Sequence, residues 1–217
     1  MQMKKLLLGG GAVLAIGIFL AVIYAVTNTP AKTTYHPELS KITASDHISW
    51  SPDNKQILVE YSDFQCPACK IAHEYLKSFA TTKEGQQVLK KVTFVYRYYP
   101  LTQIHQNALA SAYAAEAAGK QQKFNEMADV LFTKQGEWGT ISDAPAKFVE
   151  YAKSLGLNTD QFQKDMTSQE TVARIAADIK SGDSVGIEAT PTFYLNGKKL
   201  ELNSPDDLKQ SLLEVSK

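Results

Sequence analysis

Residues 61–70, YSDFQCPACK, hold Cys66 and Cys69, the full cysteine supply of a chain of 217 residues. A C-x-x-C pair places its sulfurs within one helical turn, near enough to close a disulfide with little backbone movement. A bridge across so short a loop restricts the unfolded chain weakly, so it is a poor staple. Reversible oxidation is the chemistry that the spacing suits. Pro67 marks the start of a helix, where a missing N–H costs nothing. The unpaired N–H groups and the dipole at that end favour a thiolate. Cys66 is therefore expected to be exposed, acidic and nucleophilic, and Cys69, one turn inward, to be the less accessible thiol that resolves a mixed disulfide.

On the N-terminal side, residues 56–61, QILVEY, form an apolar run of the kind found in a strand covered on both faces. Glu60 is its one interruption. A carboxyl group buried there would have a raised pKa and could accept the Cys69 proton; the alternative is a solvated acid at a strand end. On the C-terminal side, Ile71, Ala72, Tyr75, Leu76 and Phe79 recur at helical spacing and predict an apolar face. Residues 92–98, VTFVYRY, predict a second strand, ended by Pro100. Strand, helix and strand in that order imply a right-handed parallel unit with the cysteines at the carboxyl end of a strand.

Beyond it, residues 103–183 read as an inserted block of four or five helices, with Gly119 and Gly156 as helix stops. Thr192 to Leu195 and Lys199 to Leu202 then flank Asn196-Gly197, a two-residue hairpin signal, and Ser204-Pro205 opens a last helix. The fold class is α/β: a sandwich assigned to 39–102 and 184–217 that the helical block interrupts.

The N-terminus differs from the rest. Lys4 and Lys5 precede residues 6–26, a run without a charge that is long enough to cross a hydrocarbon core of about 30 Å as a helix. No clean cleavage site follows, so 1–26 is expected to be an uncleaved membrane anchor rather than a secretory signal, with the N-terminus inside. Polar residues 27–38 read as a tether. The remaining chain would then lie outside the membrane, where disulfides persist. Lys+Arg 23 against Asp+Glu 23, with no basic run, excludes a nucleic-acid partner.

Taken together, YSDFQCPACK, the acid six positions before Cys66, the helical block and ATPTFYLNGK at 189–198 resemble the DsbA-like thiol-disulfide oxidoreductases of the thioredoxin superfamily, membrane-anchored bacterial members in particular. The resemblance implies a thioredoxin fold with an inserted helical domain after one transmembrane helix. It implies a cis-proline at Pro191 facing the disulfide, with Thr190 before it, pairing with the backbone of a substrate. Pro67, Ala68 and an apolar patch that includes Phe64 complete the expected substrate surface. No cofactor is expected. The expected partners are exported cysteine-containing proteins and a membrane redox partner that resets the pair, and the protein is expected to be a monomer. Strongly oxidising members carry histidine between the cysteines, whereas this chain has Pro67 and Ala68, which implies a less acidic Cys66 and a weaker oxidant.

Rival readings remain at this level. A reductase or isomerase would use the same pair, and a thioredoxin-fold chaperone or docking module would not need it. Cys66, Cys69, His73 and His105 could form a zinc site, although three of them would lie on one helix. His36 and His47 read as solvated residues near the tether, and Trp50, Trp138 and the aromatic run 96–99 as packing residues.

Overall fold

The computed structural model of the protein describes residues 16–20, 24, 35–52 and 56–217. The chain divides into two units, Met1–Thr34 and Tyr35–Lys217. In the first, the described residues 16–20 and 24 are helical. The expected anchor and most of the tether lie outside the described residues, and among the described residues no helix is long and apolar enough to cross a membrane.

The second unit is built on a five-stranded mixed sheet. Its strands are β1 (His47–Trp50), β2 (Gln56–Ser62), β3 (Val92–Tyr98), β4 (Thr192–Leu195) and β5 (Lys198–Lys199), in the order β1-β3-β2-β4-β5. The β2 and β3 strands run parallel, with Glu60 opposite Tyr96, and the other pairings are antiparallel. Alternation along each strand sends successive side chains to opposite faces. Leu58 and Phe193 therefore pack with Leu76, Phe79 and Leu212 on one face, while Val59 and Tyr194 pack with Leu39 and Ile187 on the other. Glu60 shares the parity of Leu58 and so turns towards the first of these faces.

That face is covered by α1 (Pro67–Ala80), α2 (Lys83–Val88) and the final helix, which closes the chain at Pro205–Val215. The final helix begins with a capping box between Ser204 and Asp207. Six helices separate β3 from β4: α3 (Ala108–Lys120), α4 (Phe124–Thr133), α5 (Gln135–Trp138), α6 (Ala144–Ser154), α7 (Thr159–Met166) and α8 (Gln169–Ser184), the final helix being α9. This is one or two more than expected, since α5 spans only four residues and leaves no periodicity to read. At the centre lies α3, whose buried alanines let α4, α6, α7 and α8 approach closely. The same apolar cluster takes in Phe132, Trp138 and Phe148 and extends to Cys66 and Cys69, so the helical block and the two cysteines share one core.

Several expectations change in the folded chain. The compact unit begins at Tyr35, which bridges Lys198, and the His36 N–H donates to the Gly197 carbonyl at 2.7 Å, so the end of the expected tether already packs on the hairpin. His47 is not solvated: its ring stacks on Phe124 at 3.7 Å and its Nε2 lies 2.6 Å from Glu116 Oε2. Gly156 does end α6, with φ +74°, but Gly119 sits inside α3, and the left-handed residue after that helix is Gln122. Close approach explains Gly119. A Cβ there would stand 2.9 Å from His47 Cε1, and the stacked, hydrogen-bonded ring has no room to yield. Gly119→Ala should therefore destabilise the protein by about 1–3 kcal/mol, read as a lower denaturant midpoint at unchanged slope.

Candidate active site

The carboxyl end of β2 runs directly into the loop that carries the first cysteine. Asp63 fixes that loop. Its buried carboxylate accepts from the Gln65 N–H at 2.8 Å and the Leu101 N–H at 2.9 Å, and lies 2.7 Å from His105 Nδ1. The Asp63 carbonyl also receives the Cys66 N–H at 3.0 Å. Cys66 is the N-cap of α1 in extended conformation, with Pro67 in the first turn. The helical block holds the loop from the other side: the Gln135 amide donates to the Phe64 carbonyl at 2.8 Å and to the Cys66 carbonyl at 3.1 Å. Gln65 and Asn107 add to this clamp, with the Asn107 N–H donating to Gln65 Oε1 at 2.6 Å. Sequence reasoning missed Asp63, Gln65, Asn107 and Gln135. Asp63 alone had a local signal, an Asx turn two residues long; the others are joined across more than thirty positions.

Both cysteines are free thiols. Cys66 is 7% exposed and Cys69 0%. The expected order of access holds, but Cys66 is recessed rather than fully exposed, because Thr190 covers it: the Cys66 thiol donates to the Thr190 carbonyl at 3.3 Å. The Thr190-Pro191 peptide bond is cis. Hydrogen bonding from the Cys69 thiol, with further help from Thr190 and the backbone N–H groups of Cys69 and Ala68, outweighs burial and holds the Cys66 pKa down to about 5. Ala68 thus acts through its main chain, where a histidine side chain was missed. Burial pushes the Cys69 thiol up, and its hydrogen bond to Cys66 and the nearby Glu60 add to this. The two thiols are thus set apart in acidity, Cys66 below the ordinary thiol range and Cys69 above it.

Glu60 is 3% exposed. Burial raises its pKa to about 7, with the Ser62 hydroxyl opposing and the Cys66 sulfur reinforcing. The solvated alternative does not hold, because the parity of β2 turns the side chain under α1.

The expected substrate residues divide. Pro67 and Ala68 are exposed, the Thr190 carbonyl meets the Cys66 thiol, and Pro191, joined to Thr190 by the cis bond, lines a groove with Ala68. Phe64 requires correction: it is 1% exposed, stacked on Tyr96 with ring centres 5.0 Å apart and 4.9 Å from Phe132, and offers nothing to a client. Ile71 requires the opposite correction. Placed on the buried face of α1 by its spacing, it is 59% exposed. It lines a groove of about 290 Å³ with Ala68, Tyr75, Pro191, Phe193 and Leu208, immediately beside the cysteines. The zinc set is dispersed: His73 lies 3.1 Å from Asp129 and His105 faces Asp63, and among the described residues no group of three or more His, Cys, Asp or Glu is placed to hold a metal.

The family model described as thioredoxin matches residues 43–214. Among curated proteins, the chain is 35% identical over 154 residues to the Na(+)/H(+) antiporter NhaA 1 of Salinispora arenicola, covering 71% of this chain and 22% of the relative. It is 33% identical over 158 residues to NhaA 1 of Mycobacterium sp. (strain KMS), covering 24% of that protein. The chain spans about a quarter of these relatives, and the transport in their names belongs to them. Among solved structures, a thioredoxin-like oxidoreductase from Silicibacter pomeroyi DSS-3 superposes with TM-score 0.64 at 23% identity, over 79% of this chain and 92% of that one. Oxidised BdbD from Bacillus subtilis gives 0.69 at 19%, over 84% and 96%. Alpha-DsbA1 from Wolbachia pipientis gives 0.70 at 17%, over 83% and 95%. At these identities the likeness is one of fold: a mixed α/β thioredoxin-like sheet with a helical insertion.

Proposed function

The chain belongs to the thioredoxin family, and from that premise we propose that it is a thiol-disulfide oxidoreductase working outside the cytoplasm, as a dithiol oxidase that passes its Cys66–Cys69 disulfide to exported proteins. The observation that carries this reading is the placement of the Cys66 thiol at the N-cap of α1, 3.3 Å from the Thr190 carbonyl and one turn from the fully buried Cys69, a setting that holds its pKa down to about 5. A group that stabilises the thiolate stabilises the dithiol form over the disulfide. Against an ordinary thiol, this favours the reduced form at pH 7 by about 3 kcal/mol, or about 60 mV in a two-electron couple. The disulfide is correspondingly eager to be given away.

The client thiolate attacks Cys66 of the disulfide, and the sulfur–sulfur bond breaks with Cys69 leaving. Cys69 takes its proton from Glu60. A second client thiolate then attacks the client sulfur of the mixed disulfide and releases Cys66 as a thiolate, so two electrons pass to the protein and a disulfide remains in the client. Pro191, Thr190, Pro67 and Ala68 flank the reacting sulfur, and the groove from Ile71 to Leu208 takes an apolar client side chain. A membrane redox partner reoxidises the pair, and the uncharged run at 6–26 anchors the enzyme beside it. The reverse flow of electrons describes a reductase.

Equilibration of the Cys66–Cys69 couple with glutathione buffers separates these directions. An oxidase is expected to have a potential well above the roughly −270 mV of thioredoxin, and to be recovered from its cells as the disulfide. A potential near that value, with free thiols recovered, would make the protein a reductase.

A further inference from the structure

Glu60 has a second boundary, away from the substrate. A cavity of about 400 Å³ lies between α1, α4 and the β1–β3 edge, with Glu60 and Tyr96 in its wall. It shares no lining residue with the groove beside Pro191. On α1, Ala68, Ile71, Ala72 and Tyr75 face the groove, while His73, Leu76, Lys77 and Ala80 face the cavity. Glu60 Oε1, the Tyr96 hydroxyl and the Ser62 hydroxyl that acts on both are buried, and among the described residues none of the three has a hydrogen-bond partner of ordinary geometry. Buried polar atoms are rarely left unsatisfied, and a cavity far larger than the roughly 10–15 Å³ that one water requires, with Glu60, Tyr96 and several charged side chains set in its otherwise apolar wall, is where their partners belong. The charged and titratable groups that meet this space are Tyr96 from β3, His47 from β1, His73 and Lys77 from α1, and Glu126 and Asp129 from α4. His73 and Asp129 pair 3.1 Å apart, and both are partly exposed.

We propose that protons reach and leave Glu60 through this cavity, behind α1, so that the acid stays connected to solvent while a client covers Cys66. The inference rests on Glu60 serving as the proton partner of Cys69. In the oxidising direction Glu60 surrenders its proton to the departing Cys69 sulfur and must be reprotonated. In the reducing direction it takes the Cys69 proton, Cys69 attacks the Cys66 sulfur, and the client leaves as a thiolate. The mixed disulfide closes the front of the site in both cases. A rear path lets Glu60 exchange its proton while the client is still bound, and water in the cavity carries the proton past Tyr96 to the His73–Asp129 pair.

The test narrows the cavity from two walls, with Ala80→Leu on α1 and Ala128→Leu on α4; Ala80→Val is used if leucine lowers the melting temperature. Reduced protein is mixed with a disulfide-bonded peptide, and decay of the mixed disulfide is followed by acid quench. Filling is expected to slow this decay about tenfold, part of the 10²–10⁴ that a positioned proton acceptor provides, and to leave the alkylation rate of Cys66 unchanged. Filling should cause no further slowing in a Glu60→Gln background. Equal slowing in both backgrounds, or none in a folded filled variant, overturns the route while leaving Glu60 its role. Should Glu60→Gln alone leave the decay at the wild-type rate, the role of the acid fails and the route fails with it.

Discussion

Serine in place of Cys66 is expected to abolish exchange, whereas serine in place of Cys69 is expected to leave the protein covalently captured by its own clients. The difference follows from the geometry. Cys66 is the N-cap of α1, reachable beside Thr190 and ionised above a pH of about 5. A serine hydroxyl there stays protonated, so attack falls by roughly three orders of magnitude or more, to the uncatalysed background. Cys69 is fully buried and its thiol is pushed up, so it cannot compete for an incoming disulfide but stands one turn away to release one already bound. Removing it leaves the first step intact and blocks the second. Non-reducing electrophoresis with a disulfide-bonded client should show a one-to-one adduct for Cys69→Ser and none for Cys66→Ser. A protein that merely docks clients would keep its affinity in both variants and form no adduct in either. Stability supplies an independent reading. The folded pKa of Cys66 lies below its unfolded value near 9, so the thiolate contributes stability that is fully present above pH 9 and is lost as the pH falls to about 5. The stability gap between the reduced protein and Cys66→Ser should therefore widen from pH 5 to pH 9, by a few kcal/mol.

What the sequence disclosed and what it hid divide by range. The parallel pair β2 and β3, the start of α1 at Pro67, the Asn196-Gly197 turn and the start of α9 are all written in short local patterns of alternation, proline and capping, and each stands where those patterns place it. Glu60 was legible because a carboxyl group in an apolar strand is a conspicuous exception. β1 was not, since its four residues, HISW, are half-buried and owe their extended form to pairing with β3, a partner more than forty positions away. The same holds at the site. Phe64 stands next to the C-x-x-C motif and reads as surface, yet Tyr96 and Phe132 come from distant elements to enclose it. Ile71 keeps helical spacing with Tyr75 and Phe79, but one edge of an amphipathic helix is left uncovered where the groove opens, and only the position of Pro191 shows which edge. The Gln135 clamp on the Cys66 carbonyl has no periodicity and no motif; it exists because the helical block folds back over the loop.

Glu60→Gln is expected to make the protein slower and, above neutral pH, more stable. Burial raises this carboxyl from 4.5 to about 7, so the folded state favours the proton that the unfolded chain gives up earlier. The sign runs opposite to that of a salt-bridged acid: below pH 4.5 the group has no cost, the cost grows as the pH rises through the interval to about 7, and above that it is constant, on the order of 3 kcal/mol. Glutamine fills nearly the same volume and never ionises. Denaturant titrations at pH 5 and pH 8 should therefore show a small difference at the lower pH and a clear gain for the variant at the higher one. Resolution of the mixed disulfide should fall about a hundredfold at pH 8, within the range for loss of a general base, and its inflection near pH 7 should disappear. Such an opposition is the mark of a buried acid retained for its chemistry, because a residue kept for packing would lose stability when replaced. A variant that loses stability at both pH values, with the inflection unchanged, would show that Glu60 holds the sheet together and that the Cys69 proton leaves by another group.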